Sequence, residues 1–297
     1  MARPRISVVI MTHNRKDELD RTLRHMIGLG EAPIFVVDNG SSDGTPEFVA
    51  RAYPEAQLIA LPDNRGAVAR NIAVNEVRTP YVAFCDDDTC WDPGSLTRAA
   101  DLLDAYPGLS SVTGRCLVGE AATEDPITPE MRDSPVPAPA WLPGPALLGI
   151  MAGLTAVRVE AFRGAGGFHP RFWLGGEEEL LALDFARAGW WMVWNPDVTI
   201  RHYPSRSRDA RRRRQLGIRN TLWTLWLRRP VRSALRRSAA ILSSAPRDRA
   251  TVAALAEALR GAGWVWRERA VVPPDVENGL VLLEESQRRS KARRYVG

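Results

Sequence analysis

The sequence predicts an α/β protein, a Rossmann-like, mainly parallel sheet flanked by helices and followed by a basic helical extension. Short β-branched apolar runs alternate with helical periods through the first 118 residues. Each of the first four runs ends in polar or charged residues. After residue 205 the strand signals stop and arginine-rich helical periods replace them. The expected organisation is one α/β domain over 1–205, with a nucleotide half (1–118) and an acceptor half (119–205), then a helical extension over 206–297.

The elements follow in order. Residues 6–11 (ISVVIM) form a run short enough and apolar enough for a strand buried on both faces. Leu19, Leu23, Met26 and Ile27 recur on one face of a helix. Residues 33–37 are a second strand ending at Asp38, and residues 39–44 (NGSSDG) are a turn cluster. Thr45 is placed to cap a helix with Pro46 at its first position. Residues 57–60 give a third strand and 67–77 a helix. Residues 81–85 give a fourth strand ending at Asp86-Asp87-Asp88, and a helix is expected from Asp92 to about Ala105. Seven prolines between Pro126 and Pro145 predict a loop or lid carrying Trp141. Structure resumes at 147–159, a helix is expected over 177–188, and two short strands over 190–194 and 198–202.

Composition narrows the class. With 45% hydrophobic and 25% charged residues, the chain has the make-up of a folded globular protein. The apolar run at 6–11 is too short for a signal-peptide core, and no stretch approaches 18 uninterrupted apolar residues. Cys85, Cys90 and Cys116 form an odd set without a CxxC, which argues for a reducing compartment and against a disulfide or zinc framework. A cytoplasmic location follows.

In open α/β sheets ligands bind beyond the carboxyl ends of the strands. Thr12, Asn14 and Arg15 follow the first strand, Asp38 the second, Asn64 and nearby Arg70 the third, and Asp86, Asp87 and Asp88 the fourth. Four polar strand ends on one edge point to a site for a charged ligand. Three adjacent carboxylates repel one another unless a cation neutralises them, and hard oxygen ligands suit Mg²⁺ or Mn²⁺. Residues i and i+2 at a strand end point the same way, so Asp86 and Asp88 can face one ligand. No GxxxxGK[ST] occurs, and Gly28-Leu-Gly30 precedes a strand instead of following one, so no glycine cradle for phosphates is expected.

Six segments then carry a resemblance. SVVIMTHNR (7–15), VVDNGSSDGT (36–45), NRGAVARN (64–71), FCDDD (84–88), GGFHPRFWLGGEEELL (166–181) and His202 occur in the order found in bacterial inverting glycosyltransferases of family 2, which have the GT-A fold. The resemblance covers about residues 5–204. It implies transfer of a hexose or deoxyhexose from a UDP, dTDP or GDP sugar to a saccharide, lipid-linked or small-molecule hydroxyl acceptor. It implies that Asp38 binds the base, that Thr12, Asn14 and Arg15 surround the nucleoside and that Arg70 lies near the nucleotide. Asn64, Asp86 and Asp87 would join the nucleotide-sugar site, with Asp86 near both ribose and metal; Asp88 would bind the metal directly and His202 would complete its site. Glu177-Glu178-Glu179 matches the family's catalytic acid element; counting back twelve residues from Gly189 places the base at Glu178, with Glu177 beside it. Here Glu replaces the usual Asp and a third acid follows; Asp184 stands where many members carry Arg. Phe172 and Trp173, with Trp141, would form the acceptor side. Two alternatives stand beside this reading. A metal-dependent nucleotidyltransferase normally carries a Gly-rich basic loop after the first strand, where this chain has THNR; a catalytically inactive homologue would not be expected to retain every acid.

Residues 201–245 contain 13 Arg and a single acid, Asp209. Leu216, Trp223 and Leu227 fall on helical spacing with Arg219 and Arg228 to either side, a pattern that suits either an anionic membrane surface at the inner face of the plasma membrane or packing onto the α/β domain. No nucleic-acid-binding motif accompanies the arginines, and no nucleic-acid partner is expected.

Overall fold

The computed structural model describes residues 3–204 and 210–288; the expected boundary between residues 205 and 206 lies outside them. The chain begins β1 (Ile6–Thr12), α1 (Lys16–Leu29), β2 (Ile34–Asp38), α2 (Thr45–Ala52), β3 (Gln57–Ala60), α3 (Val68–Glu76) and β4 (Tyr81–Asp86). This is the alternation the sequence predicts, and β3, β2, β1 and β4 pair in parallel in that spatial order. Thr45 is the first helical residue of α2; Gly44 precedes it in the left-handed conformation, so the cap lies one residue earlier than expected.

A turn at Asp87-Asp88 leads into β5 (Thr89–Trp91), α4 (Ser95–Ala105) and β6 (Leu109–Val118). Then come β7 (Thr123–Glu124), α5 (Ile127–Arg132), β8 (Ala146–Leu147), a 3₁₀ turn (Ala152–Leu154), β9 (Thr155–Arg158), α6 (Val159–Gly164), α7 (Glu177–Arg187) and β10 (Trp191–His202). The sheet continues from β4 through β9, β6 and β10 to β5. Here it is mixed: β9 runs antiparallel to both β4 and β6, while β6 and β10 are parallel. The two strands expected at 190–194 and 198–202 are one strand, β10, with a register shift between Trp194 and Thr199. The proline-rich segment is not wholly a loop, since α5 buries Thr128 and Met131 and Thr128 bonds the β6 backbone at Cys116.

Apolar layers cover both faces of the sheet, which is why β1 and β2 read as continuous hydrophobic runs. Val8 and Ile10 pack with Leu19, Leu23 and Met26 of α1, whereas Val9 packs on the opposite face with Val37, Phe84, Phe162 and Phe168.

The remaining described chain is helical: α8 (Ala210–Arg228), α9 (Val231–Ser244), α10 (Arg249–Arg260), α11 (Ala262–Arg267) and α12 (Pro274–Gln287). These helices share cores with the α/β part. Phe172 and Leu180 pack with Trp223, Leu227 and Trp264, and Leu183 packs with Val272 and Leu280. The stripe of Leu216, Trp223 and Leu227 is therefore buried within the protein. Its flanking arginines are also consumed: Arg219 pairs with Glu257, and Arg228 with Asp184. Packing onto the α/β part explains that stripe.

Candidate active site

The carboxyl ends of β1, β2 and β4 bring most of the expected residues to one edge. Thr12 donates its hydroxyl to Asp87 (3.0 Å), and the Arg15 guanidinium bonds Asp87 at 2.9 Å and reaches Asp88 at 3.5 Å. Thr22, from α1, donates to the Asp87 carbonyl at 2.8 Å. Burial, and less strongly the charge of Asp88, lifts the Asp87 carboxyl to about 7 despite Arg15. Asp87 thus anchors the loop after β1 to the carboxylate turn; it is buried and occupied by protein groups, which argues against the nucleotide contact expected of it.

The alternation argument for Asp86 and Asp88 fails because β4 ends at Asp86 and the next two residues turn. Asp86 forms an ion pair with the buried Arg70. Asp88 is carried to the other side, where its Oδ1 lies 3.8 Å from His202 Nε2 at the end of β10. Antiparallel pairing of β5 with β10 sets this approach, with His202 opposite Thr89 and the Tyr203 amide donating to the Asp88 carbonyl. The expected trio Asp86, Asp88 and His202 is not gathered at one point. Among the described residues the one group of three ligand atoms within 4.8 Å of one another is Cys116, Asp125 and His202. Asp88 and His202 nevertheless fit a divalent cation: a buried hard carboxylate faces an imidazole, and such ions complete their shells with water and substrate phosphate.

The nucleoside side is shaped by loop-to-loop bonds. One Asp38 oxygen accepts the Ser41 amide at 3.0 Å, while the other, Oδ1, is buried without a protein partner. Such an orphaned acceptor suits a ligand N–H donor. Asn14 adopts a left-handed φ of 53°, which Asn tolerates better than most residues, and its side-chain oxygen accepts the Ser42 amide at 2.7 Å. Asn64 closes its own turn by accepting the Gly66 amide at 3.0 Å. Asn39 ties β2 to the same loop through the Arg65 amide (2.8 Å) and the Gly66 carbonyl (3.1 Å). Gly66 is required there: its φ is +61°, and a Cβ would lie 2.1 Å from the Trp173 carbonyl oxygen.

The acidic run begins α7. Gly176 precedes it at φ 90°, and all three glutamates lie in the first turn, where the helix dipole favours negative charge. The structure separates them. Glu179 is lifted by burial and sits in the field of Arg229, Arg237 and Glu284 of the C-terminal helices. Glu177 and Glu178 lie instead in the field of Arg70 and Asp86. Glu178 accepts the Ala152 amide, and burial, then the charge of Glu177, pushes its carboxyl up to about 8. Glu177 is also lifted by burial, and its Oε2 has no protein partner. Gly153 leaves room for this arrangement, since a Cβ there would lie 2.9 Å from Asp86 Oδ2.

The sequence profile of Glycosyl transferase family 2 matches residues 7–149, the part that builds the strand-end loops and carboxylate turn just described. The N-acetylglucosaminyl-diphospho-decaprenol L-rhamnosyltransferase of Mycobacterium tuberculosis is 27% identical over 288 residues, covering 80% of this chain and 91% of that protein. These two likenesses support a family-2 glycosyltransferase. Solved structures with the same fold include a mannosyltransferase, PcManGT, from Pyrobaculum calidifontis in complex with GDP-Man and Mn²⁺ (TM-score 0.57, 20% identity, 98% of this chain and 88% of that one). Another is GalNAc-T7 with UDP, GalNAc and Mn²⁺ (TM-score 0.61, 14% identity, 89% of this chain and 56% of that one).

The expected acceptor aromatics divide. Phe172 is fully buried against Trp223 and presents no face to a sugar. Trp141 stacks near Tyr106 and meets Trp191 edge-on, beside Gly108, at the amino-terminal ends of β6 and β10. That is the opposite edge of the sheet from Asp88, so Trp141 is no part of a lid over the site. Trp173 does lie at the active edge, where its carbonyl accepts the Ala67 amide at 2.7 Å. Sequence reasoning missed Asn220 of α8, whose amide group donates to the carbonyls of Phe172, Leu174 and Gly175 and so fixes the loop entering α7. No local signal marks an Asn that acts on a segment 45 residues away. It also missed Ala152, which acts through its backbone alone.

Proposed function

We propose that the enzyme transfers a sugar from a nucleoside-diphosphate sugar to a hydroxyl acceptor with inversion at the anomeric carbon, using Glu178 as general base. The observation that carries this is the position of Glu178: held by the Ala152 amide, next to Glu177 and beside the Arg70–Asp86 pair. Burial makes the ionised form of this carboxyl a stronger base, able to accept a hydroxyl proton in its deprotonated fraction. The acceptor oxygen attacks the anomeric carbon, the bond to the diphosphate breaks with its electron pair, and the acceptor proton passes to Glu178. Arg70 holds Asp86 at the end of β4, and Asp38 receives the base of the nucleotide through its unpartnered oxygen. Asp88 and His202 would hold Mn²⁺ or Mg²⁺, which supplies positive charge against the departing diphosphate when bound.

The mycobacterial relative acts on a decaprenyl-diphosphate-linked sugar and matches over nearly its whole length. We therefore infer a deoxyhexosyl donor and a lipid-linked saccharide acceptor, with the enzyme working in the cytoplasm at the inner face of the membrane. Among the described residues no helix is long and apolar enough to cross a membrane, so contact with that face would be peripheral. The test is a screen of UDP, dTDP and GDP sugars with Mn²⁺, first for release of nucleoside diphosphate and then for transfer to a prenyl-diphosphate saccharide. Release of pyrophosphate instead would replace this reading with nucleotidyl transfer.

A further inference from the structure

The apolar stripe of α8 is buried, but the helices that bury it expose a second apolar surface. A cavity of about 530 Å³ opens between α8, α9, α10 and α11, with Trp223, Trp226 and Leu255 among its walls. A shallower one of about 890 Å³ adjoins it, sharing Leu242 and Leu255. The rims stand out into solvent: Leu259 is 76% exposed, Trp266 65% and Leu242 50%. A grouping of large apolar side chains of this kind marks an interaction site more often than isolated exposed residues do.

The charge around the groove selects its occupant. Residues 231–267 contain seven Arg and two acids, Asp248 and Glu257. Both acids are spent internally, on Arg214 and Arg219. Arg247 and Arg249 line the shallower cavity, Arg260 and Arg267 directly follow the rim residues Leu259 and Trp266, and all four are exposed. Apolar side chains ringed by arginine suit an anionic bilayer, where the rims enter the acyl boundary and the guanidinium groups meet lipid phosphates. A second copy of the chain would bring the same basic ring against itself.

We propose that this groove is the enzyme's docking surface for an anionic lipid bilayer. The inference rests on the reading of the acceptor as lipid-linked, which gives the groove its use. The geometry is suitable: Asn220 fixes the loop entering α7, and Trp223 and Trp226 follow it on α8, so the groove begins roughly 5–9 Å along the helix from that anchor.

The test is co-sedimentation of the full chain with phosphatidylglycerol vesicles and with phosphatidylcholine vesicles, for the wild type and for Leu259→Ser/Trp266→Ser. Both substituted residues are exposed and lie away from the site, so melting temperature and nucleotide binding should not change. The expected result is binding to phosphatidylglycerol only, weakened by about 0.5 M salt and reduced about tenfold or more in the double variant. Absence of wild-type binding at low salt overturns the proposal. So does wild-type binding that the double variant retains in full, which would assign the contact to charge alone. A dimer in sedimentation velocity that the same substitutions dissociate would assign the groove to a second copy and overturn it as well. Vesicle binding is read without donor or acceptor, so failure of the acceptor reading would appear separately, as absent transfer to a prenyl-diphosphate saccharide.

Discussion

Asp184→Ala tests how the C-terminal helices are fastened to the helix that carries the base. Asp184 lies two turns along α7 from Glu177 and accepts Arg228 Nε at 2.6 Å and Nη2 at 3.0 Å, a two-pronged bond between side chains that are 11% and 10% exposed. Removing one member of a buried pair leaves the other charged and uncompensated, at a typical cost of about 3–5 kcal/mol. Arg228 keeps two carbonyl partners, Leu227 and Glu268, which places the expectation near the lower end, about 3 kcal/mol. Urea unfolding should show this as a lower midpoint with an unchanged slope. The pair Asp184→Ala/Arg228→Met removes both charges and should recover most of the loss, giving a coupling of about 2 kcal/mol or more in the double-mutant cycle, against the upper range of about 3 kcal/mol for contacting residues. A loss under about 1 kcal/mol for Asp184→Ala, or single-variant losses that simply add, would refute the view that this pair is a buried clamp.

Three further outcomes follow from the site. Gly153→Ala places a methyl group 2.9 Å from Asp86 Oδ2, so transfer should fall about 10- to 100-fold while the melting temperature changes little; full activity would show that Asp86 need not keep its place. Titration calorimetry of the nucleoside diphosphate should show tighter binding with Mn²⁺ than in EDTA, and Asp88→Asn or His202→Ala should erase the difference; equal affinity in EDTA would remove the metal from the account. The Glu178 carboxyl is raised from 4.5 to about 8, so between those values the folded state holds a proton that the unfolded chain releases. Stability should therefore fall as pH rises through that window, and Glu178→Gln should flatten the fall; parallel slopes for variant and wild type would contradict the assigned shift.

Much of the nucleotide half was legible because its strands are unbroken apolar runs that stop at polar residues. β1, β2, β3 and β4 fall where the periodicity puts them. β6 was not legible because its sequence, LSSVTGRCLV, breaks every apolar pattern. Two of its buried polar residues are satisfied across the sheet, Thr113 by Thr155 and Ser110 by the Trp191 carbonyl. Gly114 is there because a Cβ would lie 2.6 Å from the Val198 carbonyl oxygen. β10 was read as two strands because Asn195-Pro196-Asp197 looks like a turn, whereas the chain bulges there and continues. For the site, the motif order supplied the residues but not their partners. Asp86 and Asp88 are two positions apart in sequence, yet a turn sends one to Arg70 and the other toward His202. The tail arginines announced charge, but the acids that neutralise Arg228 and Arg229 are more than 40 residues away, and no local pattern points to them.

The most direct test of the central claim compares Glu178→Gln and Glu177→Gln, measuring nucleotide-sugar binding and transfer rate for each. Glu178→Gln preserves size and removes the proton acceptor. The account predicts unchanged donor binding, transfer reduced about 10²-fold or more, and a smaller loss for Glu177→Gln. A dead Glu177→Gln beside an active Glu178→Gln would move the base by one residue, and full transfer by both variants would contradict the mechanism.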